Sequence, residues 1–301
     1  MTALGSEHVT FKNPIIPASG AFGFGREYEE FYPLSKLGGV AVKGMTLLEK
    51  AGNPPPRIAE TPSGMLNSVG LQNPGIDYFI EHELPNLIHK DTRIIANVAG
   101  STAEDCVTIA QKLEPTAVDM IELNISCPNV KQGGAAFGIS CSSAADITAK
   151  VRKATTKPLM VKLSPNVTSI SEIAKAVEAA GADAVSLINT LLGMKIDINT
   201  RRPVLKNNVG GLSGPAVFPV ALRMVWQVAN AVSIPVVGMG GIEKWQDAVE
   251  MLLAGASALQ MGAAIFADPY APLKVIDGLN EYLDSHNIGK VTELVGKVQP
   301  W

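Results

Sequence analysis

Cysteine is scarce in this chain. There are 3 in 301 residues, Cys106, Cys127 and Cys141, and no two of them form a Cys-x-x-Cys pair. So small and odd a set argues against a disulfide framework or a structural zinc site, and it cannot supply four thiolates to an iron–sulfur cluster. Long apolar runs are missing too. The nearest, "NNVGGLSGPAVFPVAL", is broken by Gly and Pro, so no segment reads as a membrane span. The N-terminus, "MTALGSEHVTFKNP", has no basic region followed by an apolar stretch, so no secretory signal is read. Nor is there an excess of positive charge. The 25 Lys+Arg face 28 Asp+Glu, a net charge of -3, which gives no footprint for nucleic acid or an anionic membrane. No His-Glu-x-x-His motif or carboxylate cluster points to a metal. The four histidines, His8, His82, His89 and His286, fall near the termini or in helix-like stretches and read as surface residues. The expectation is a cytoplasmic protein.

What is present is a large apolar core. The composition is 47% hydrophobic and 18% charged, ordinary for a globular protein, and the length suits a barrel built as a single domain over 1–301. Eight short apolar runs recur along the chain. They are "NPIIPAS" ending at Ser19, "GGVAVKG" around Lys43, "RIIANVAG" around Asn97 and "DMIELNIS" at Asn124. The others are "PLMVKLS" at Lys162, "AVSLINT" at Asn189, "IPVVGMGG" at Gly240 and "ALQMGAA" at Gly262. Their hydrophobicity is continuous rather than alternating, as in parallel strands buried on both faces. Helix-like stretches such as "SEIAKAVEAAGA" and "KWQDAVEMLLAGA" separate them, with apolar residues three and four apart and a Gly stop. Both run on into a strand by a similar path, "AAGADAVSL" and "LAGASALQM". This pattern predicts a (β/α)8 barrel, the TIM barrel fold. A doubly wound open sheet is the alternative, disfavoured because no Gly-x-Gly-x-x-Gly follows the first strand. Two insertions, residues 46–76 and 190–214, follow strand C-termini and are expected to lie over the catalytic face of the barrel.

Barrel active sites lie at the C-terminal ends of the strands. Here those ends carry Ser19, Lys43, Asn97, Asn124, Lys162, Asn189, Gly240 and Gly262. Any one polar strand end could face solvent; six converging on one rim argue for a site. The glycine turns "GMGGI" and "MGAAIF" would expose backbone N–H groups, a place that suits a phosphate. Lys43 and Lys162 are read either as Schiff-base lysines or as fixed cations beside an anionic ring or carboxylate, and the residues alone leave both open. Cys127 is the candidate acid–base group or nucleophile. It lies just past a strand end, between Asn124 and the pair Pro128 and Asn129, where proline fixes the backbone and the amides offer donors and acceptors. Cys106, in a helix-like run, reads as core, and Cys141, before "SS", reads as part of a helix cap.

The segments "NISCPNVKQGG", "SGMLNSVGLQNPG", "VKLSPNV", "INT", "GGLSGPA" and "GMGGI" resemble the dihydroorotate dehydrogenase family, over about Asn13 to Asp268. Within it, "GNPPPRIAET" and "CPNVKQGG" are similar to the NAD-linked class 1B catalytic subunit. The resemblance implies one FMN per chain, held by Ser19, Lys43, Gly44, Asn97, Asn124, Lys162, Ile188, Gly214, Gly240, Gly241, Gly262 and Ala263, with the phosphate at the last two glycine turns. It implies dihydroorotate held by Lys43, by Asn67, Ser68, Val69, Gly70 and Leu71, and by Asn124, Asn129, Asn189 and Thr190. Cys127 matches the catalytic base of the family. The loop 130–138, with Gly133 and Gly134, is read as a lid that excludes water. A partner subunit with FAD and a [2Fe-2S] cluster, binding NAD, is implied as well, in a heterotetramer built on a dimer of this chain. Three rivals stand beside this reading: a fumarate-linked class 1A enzyme, a Schiff-base lyase using Lys162, and a non-catalytic flavin-binding subunit.

Overall fold

The computed structural model describes residues 2–4, 9–126 and 135–301. Eight parallel strands form one sheet: β1 Ile15–Pro17, β2 Gly39–Ala41, β3 Arg93–Val98 and β4 Met120–Asn124, then β5 Leu159–Lys162, β6 Ala184–Leu187, β7 Val236–Met239 and β8 Ala256–Met261. These are the eight apolar runs of the sequence. Their order in the sheet is β1-β8-β7-β6-β5-β4-β3-β2, so every strand from β2 to β8 pairs with its neighbour in the chain. The two outer strands meet at the seam, where the Gly38 N–H donates to the Ile15 carbonyl at 3.0 Å. The sheet is a nearly closed (β/α)8 barrel, which removes the open doubly wound alternative.

Alternate residues divide the core in two. Inside the barrel, Ile16, Ala41, Ile95, Met120, Met160, Ala184, Val237 and Ala258, one from each strand, pack in a single cluster with Val9 and Phe11. Val9 and Phe11 belong to a two-stranded antiparallel sheet, Thr2–Leu4 with Val9–Phe11, that plugs the amino end of the barrel. The opposite parity, including Ile121, Leu123, Val161 and Val185, faces out and packs under the helices. The plug gives the site above it an apolar, rigid floor. Truncating fully buried Phe11 to Ala would cost about 3–5 kcal/mol.

The helices follow local rules. Thr102 and Asp105 form a capping box at the start of helix Ala103–Leu113, whose buried residues Cys106, Ile109, Ala110 and Leu113 recur at three- and four-residue spacing. Helix Ile170–Ala179 ends at Gly181 in the left-handed region (φ 98), with Gly181 N–H to Glu178 O at 3.0 Å and Ala182 N–H to Val177 O at 3.1 Å. Helix Trp245–Leu253 stops the same way at Gly255 (φ 116). That shared stop is the physical content of the repeated "AAGADAVSL" and "LAGASALQM". The cap before Cys141 is Ser140, whose side chain accepts from the Ser143 N–H, rather than the serines that follow.

The two insertions are more than loops. Leu191–Gly193, Gly210–Ser213, Gly64–Asn67 and Ile58–Thr61 pair in that order as a four-stranded antiparallel sheet. It carries a small core of its own, Ala59, Leu66 and Leu205. Segments far apart in sequence thus build one layer beside the carboxyl ends of the barrel strands. No helix among the described residues is long and apolar enough to cross a membrane.

Candidate active site

Above the apolar plug the inward-facing positions turn polar. Counting by two along each strand from the apolar layer gives Lys43 on the end of β2, Asn97 on β3, Glu122 and Asn124 on β4, Lys162 on β5, Ser186 on β6 and Gln260 on β8. All but Lys43 are buried. These strand ends therefore point into the molecule, and their polar groups need partners there.

Most of the partners are supplied by one network. Asn189 Nδ2 donates to Ser126 Oγ at 2.9 Å, and Ser126 Oγ donates to Asn124 Oδ1 at 2.8 Å. Asn124 Nδ2 lies 3.5 Å from Asn97 Oδ1, and Asn97 Nδ2 donates to Glu122 Oε2 at 2.5 Å. Glu122 Oε1 also accepts from Ser186 Oγ and from Gln260 Nε2, each at 2.8 Å. The chain of bonds fixes which way each amide points.

Two groups are left over, and both line a cavity of about 230 Å³ at the carboxyl ends of the strands. Lys162 is only 5% exposed, yet no described residue accepts from its ammonium. Gln260 Oε1 is buried without a hydrogen-bond partner. A buried cation with no acceptor among the described residues and a buried acceptor without a partner are costly, and a ligand that meets both removes the cost.

The cavity gathers nearly all the candidate residues. Ser19, Lys43, Gly44, Asn97, Asn124 and Lys162 line it from β1 to β5, and Ile188, Asn189 and Thr190 from the turn after β6. Gly240 and Gly241 reach it after β7, and Gly262 and Ala263 after β8. The insertion sheet and its edges add Asn67, Val69, Gly70, Leu71 and Gly214. Ser68 is not among the lining residues. It is fully buried, with its N–H bound to Arg57 O at 2.8 Å and its carbonyl accepting from Asn53 Nδ2 at 2.9 Å. Cys127, Asn129 and most of the 130–138 segment lie outside the described residues. Glu122 and Gln260 were missed in the sequence, although "ALQMG" carries a signal: the glutamine shares the inward parity of Ala258 and Gly262.

The glycines shape the wall. A Cβ on Gly262 would meet only Ala18 Cβ, at 3.8 Å, so hydrogen stands there where a methyl would project into the cavity. Gly241 has φ 76, and a Cβ on it would come within 2.8 Å of the Phe218 backbone N. Such bare backbone suits the close approach of a phosphate. Cys106 plays no part here: burial, opposed by a hydrogen bond from the Gly100 backbone, pushes its thiol up to about 12.

A (β/α)8 barrel with a buried lysine, oriented amides and glycine turns around one cavity is the framework of a cofactor-binding barrel enzyme. A family model described as dihydroorotate dehydrogenase matches residues 3–283. "Dihydroorotate dehydrogenase B (NAD(+)), catalytic subunit" of Parabacteroides distasonis is 57% identical over 96% of this chain and 95% of its own. Relatives of the same name from Bacteroides thetaiotaomicron and Alkaliphilus oremlandii are 56% and 54% identical, over 96% of this chain and 95% and 96% of theirs. The chain belongs to the dihydroorotate dehydrogenase family.

Proposed function

We propose that this chain oxidises dihydroorotate to orotate in pyrimidine biosynthesis, with FMN in the cavity, as the catalytic subunit of an NAD-linked enzyme. The observation that carries the reading is the identity to relatives of that name over almost the whole chain. The cavity supports it. FMN has a phosphate, ring carbonyls and a ring N–H, and the lining offers bare glycine backbone, the Lys162 ammonium and the Gln260 oxygen.

On this reading Gly240, Gly241, Gly262 and Ala263 take the phosphate. Ser19, Gly44, Asn97, Asn124, Lys162, Ile188 and Gly214 surround the rest of the cofactor. Lys43 meets the substrate carboxylate as a charge-assisted donor. Asn124, Asn129, Asn189 and Thr190 hold the planar ring with Asn67, Val69, Gly70 and Leu71, while Ser68, buried behind them, supports that stretch. Cys127 takes a proton from the substrate carbon next to the ring carbonyl. Bound FMN supplies the acceptor for the hydride that leaves the neighbouring carbon, so two electrons and two hydrogens leave the substrate in all. An ordinary thiol has a pKa near 8.5, so only a few per cent is thiolate at neutral pH, which suits a base gated by substrate binding.

The words "catalytic subunit" in the relatives' names support a second subunit. We assign FAD, a [2Fe-2S] cluster and the NAD site to it, in a cytoplasmic heterotetramer built on a dimer of this chain, with residues 1–301 acting as one FMN-binding domain. The NAD-linked names favour this over the fumarate-linked class.

An absorbance spectrum before and after anaerobic addition of dihydroorotate tests the reaction. The flavin band should bleach, and NAD should be reduced slowly until the partner is added. A band that dihydroorotate leaves untouched would overturn the reading. Rapid fumarate reduction by the isolated chain would move it to class 1A, and a borohydride-trapped adduct on Lys162 would make it a lyase.

A further inference from the structure

Glu122 has no role in the reaction just described, yet it is the hub of the barrel's polar interior. It is fully buried, and its three donors, Asn97 Nδ2, Ser186 Oγ and Gln260 Nε2, come from β3, β6 and β8. With β4, one carboxylate thus ties four strands. Holding strands together does not require it, because the layer of inward residues below does so with apolar side chains alone.

What an apolar residue cannot do is orient amides. A carboxylate only accepts, so Asn97 and Gln260 must turn their NH₂ groups towards it. Their oxygens are then sent the other way. Gln260 Oε1 is left buried and unpartnered in a residue that lines the cavity. Asn97 Oδ1, whose contact from Asn124 Nδ2 is long at 3.5 Å, stands 2.7 Å from where a Cβ on Gly44 would be, beside another lining residue. Lys162 is close to this group: its partner in the β5–β6 register is Ser186, which donates to Glu122.

We propose that Glu122 is a positioning residue for the cofactor floor. It locks the Asn97 and Gln260 amides with their oxygens towards the cavity, so that the floor presents acceptors and selects a ring that donates an N–H. The isoalloxazine imide, an N–H between two carbonyls, has that chemistry. The identity of the ring rests on the flavin reading above; the orientation of Gln260 rests on Glu122, and that of Asn97 on Glu122 together with the longer contact from Asn124 Nδ2 at 3.5 Å.

Glu122→Gln tests this at constant shape. Its new NH₂ must face one of three donors, and the conflict is relieved when a neighbouring amide flips and sends its own NH₂ to the cavity. The readout is the ratio of dissociation constants for FMN and for FMN methylated at the imide nitrogen, by flavin fluorescence titration of the apoprotein. The wild type should prefer FMN strongly, and the variant should bind FMN at least tenfold more weakly and lose most of that preference. A merely structural role would lower the apoprotein melting temperature and leave the ratio as it was, and that result overturns the proposal. Should Glu122→Gln not fold, Gln260→Met removes one acceptor and leaves Glu122 two donors; it too must lose preference, and an unchanged ratio overturns the proposal. Wild-type protein that binds neither flavin would overturn the flavin reading and this inference with it, whereas wild-type protein that binds FMN alongside a variant with an unchanged ratio overturns only the role of Glu122.

Discussion

Gly262→Ala separates the cofactor site from the stability of the barrel. Gly262 follows β8 and shares the inward parity of Ala258 and Gln260. Its Cβ would touch only Ala18 Cβ at 3.8 Å, ordinary contact, so the apoprotein has room for it. Replacing glycine where the backbone permits alanine restricts the unfolded chain and adds about 0.4–1 kcal/mol of stability. At about 2–4 °C per kcal/mol, apoprotein melting should rise by about 1–4 °C. The cofactor meets the opposite situation. The same methyl would occupy the wall assigned to the phosphate, and an overpacked contact costs about 1–3 kcal/mol. At 1.4 kcal/mol per tenfold, FMN should bind about 5- to 150-fold more weakly. Gly241→Ala is the contrast. At φ 76, with its Cβ 2.8 Å from the Phe218 backbone N, it should lower both melting temperature and affinity. Differential scanning fluorimetry of apoprotein and a fluorescence titration with FMN decide the matter. Unchanged affinity in Gly262→Ala would remove that turn from the cofactor site, and a lower melting temperature would show that the space beside Ala18 is not free.

Cys127→Ser should retain FMN and slow flavin reduction by about 10²–10⁴-fold at neutral pH, with partial recovery as pH rises; an unchanged stopped-flow rate would exclude Cys127 as the base. Native alkylation at pH 8 followed by mass spectrometry should modify exposed Cys141 and spare Cys106. With its pKa pushed up to about 12, about one Cys106 in 10⁴ is thiolate at that pH, and labelling of Cys106 as fast as of Cys141 would contradict its place in the core. Glu114 makes stability depend on acid. Burial raises its carboxyl pKa, but hydrogen bonds from the Thr155 and Thr156 side chains and the Thr156 N–H outweigh that and hold it at about 2. A carboxyl depressed in the folded state stabilises above its unfolded pKa, so this contribution is whole above about pH 4.5 and fades as pH falls towards 2. Discounted for its exposure to solvent, it is on the order of 1 kcal/mol. In urea titrations Glu114→Gln should lose this part of the slope between pH 5 and 3, and a slope equal to wild type would refute the clamp.

The barrel was legible because parallel strands buried on both faces cannot alternate. "RIIANV" and "MIELN" read as runs, and helices with a three- and four-residue apolar rhythm separate them. The two-stranded sheet at the amino end was not legible. Its strands, "TAL" and "VTF", are three residues each, too short to show a period. The insertion sheet failed for two reasons. "GMLN" and "GGLS" are rich in residues of turns, and their pairing joins Met65 to Ser213 and Leu66 to Leu212, a contact that nothing local encodes.

The site was legible at its rim and illegible at its centre, for a single physical reason. Asn124 and Lys162 end their strands, where a polar residue after an apolar run draws notice. Glu122 and Gln260 lie inside the runs "MIELN" and "SALQM", where one polar residue in a two-sided apolar strand looks like an interruption. Parity resolves them. Met120 and Ala258 are fixed in the barrel interior by the apolar plug. Two residues on, a strand presents the same face one layer higher. From Met120 that step gives Glu122 and then Asn124; from Ala258 it gives Gln260 and then Gly262; from Met160 it gives Lys162. The polar layer is therefore the first layer above the plug, and its charge and amides exist there because the layer below is closed to water and the layer above opens into the cavity. A buried carboxylate on such a strand is tolerated only when the residues at the same height on other strands are donors. Asn97, Ser186 and Gln260 are those donors, and of the two amide oxygens turned away from Glu122, that of Gln260 is left without a partner in a residue that lines the cavity.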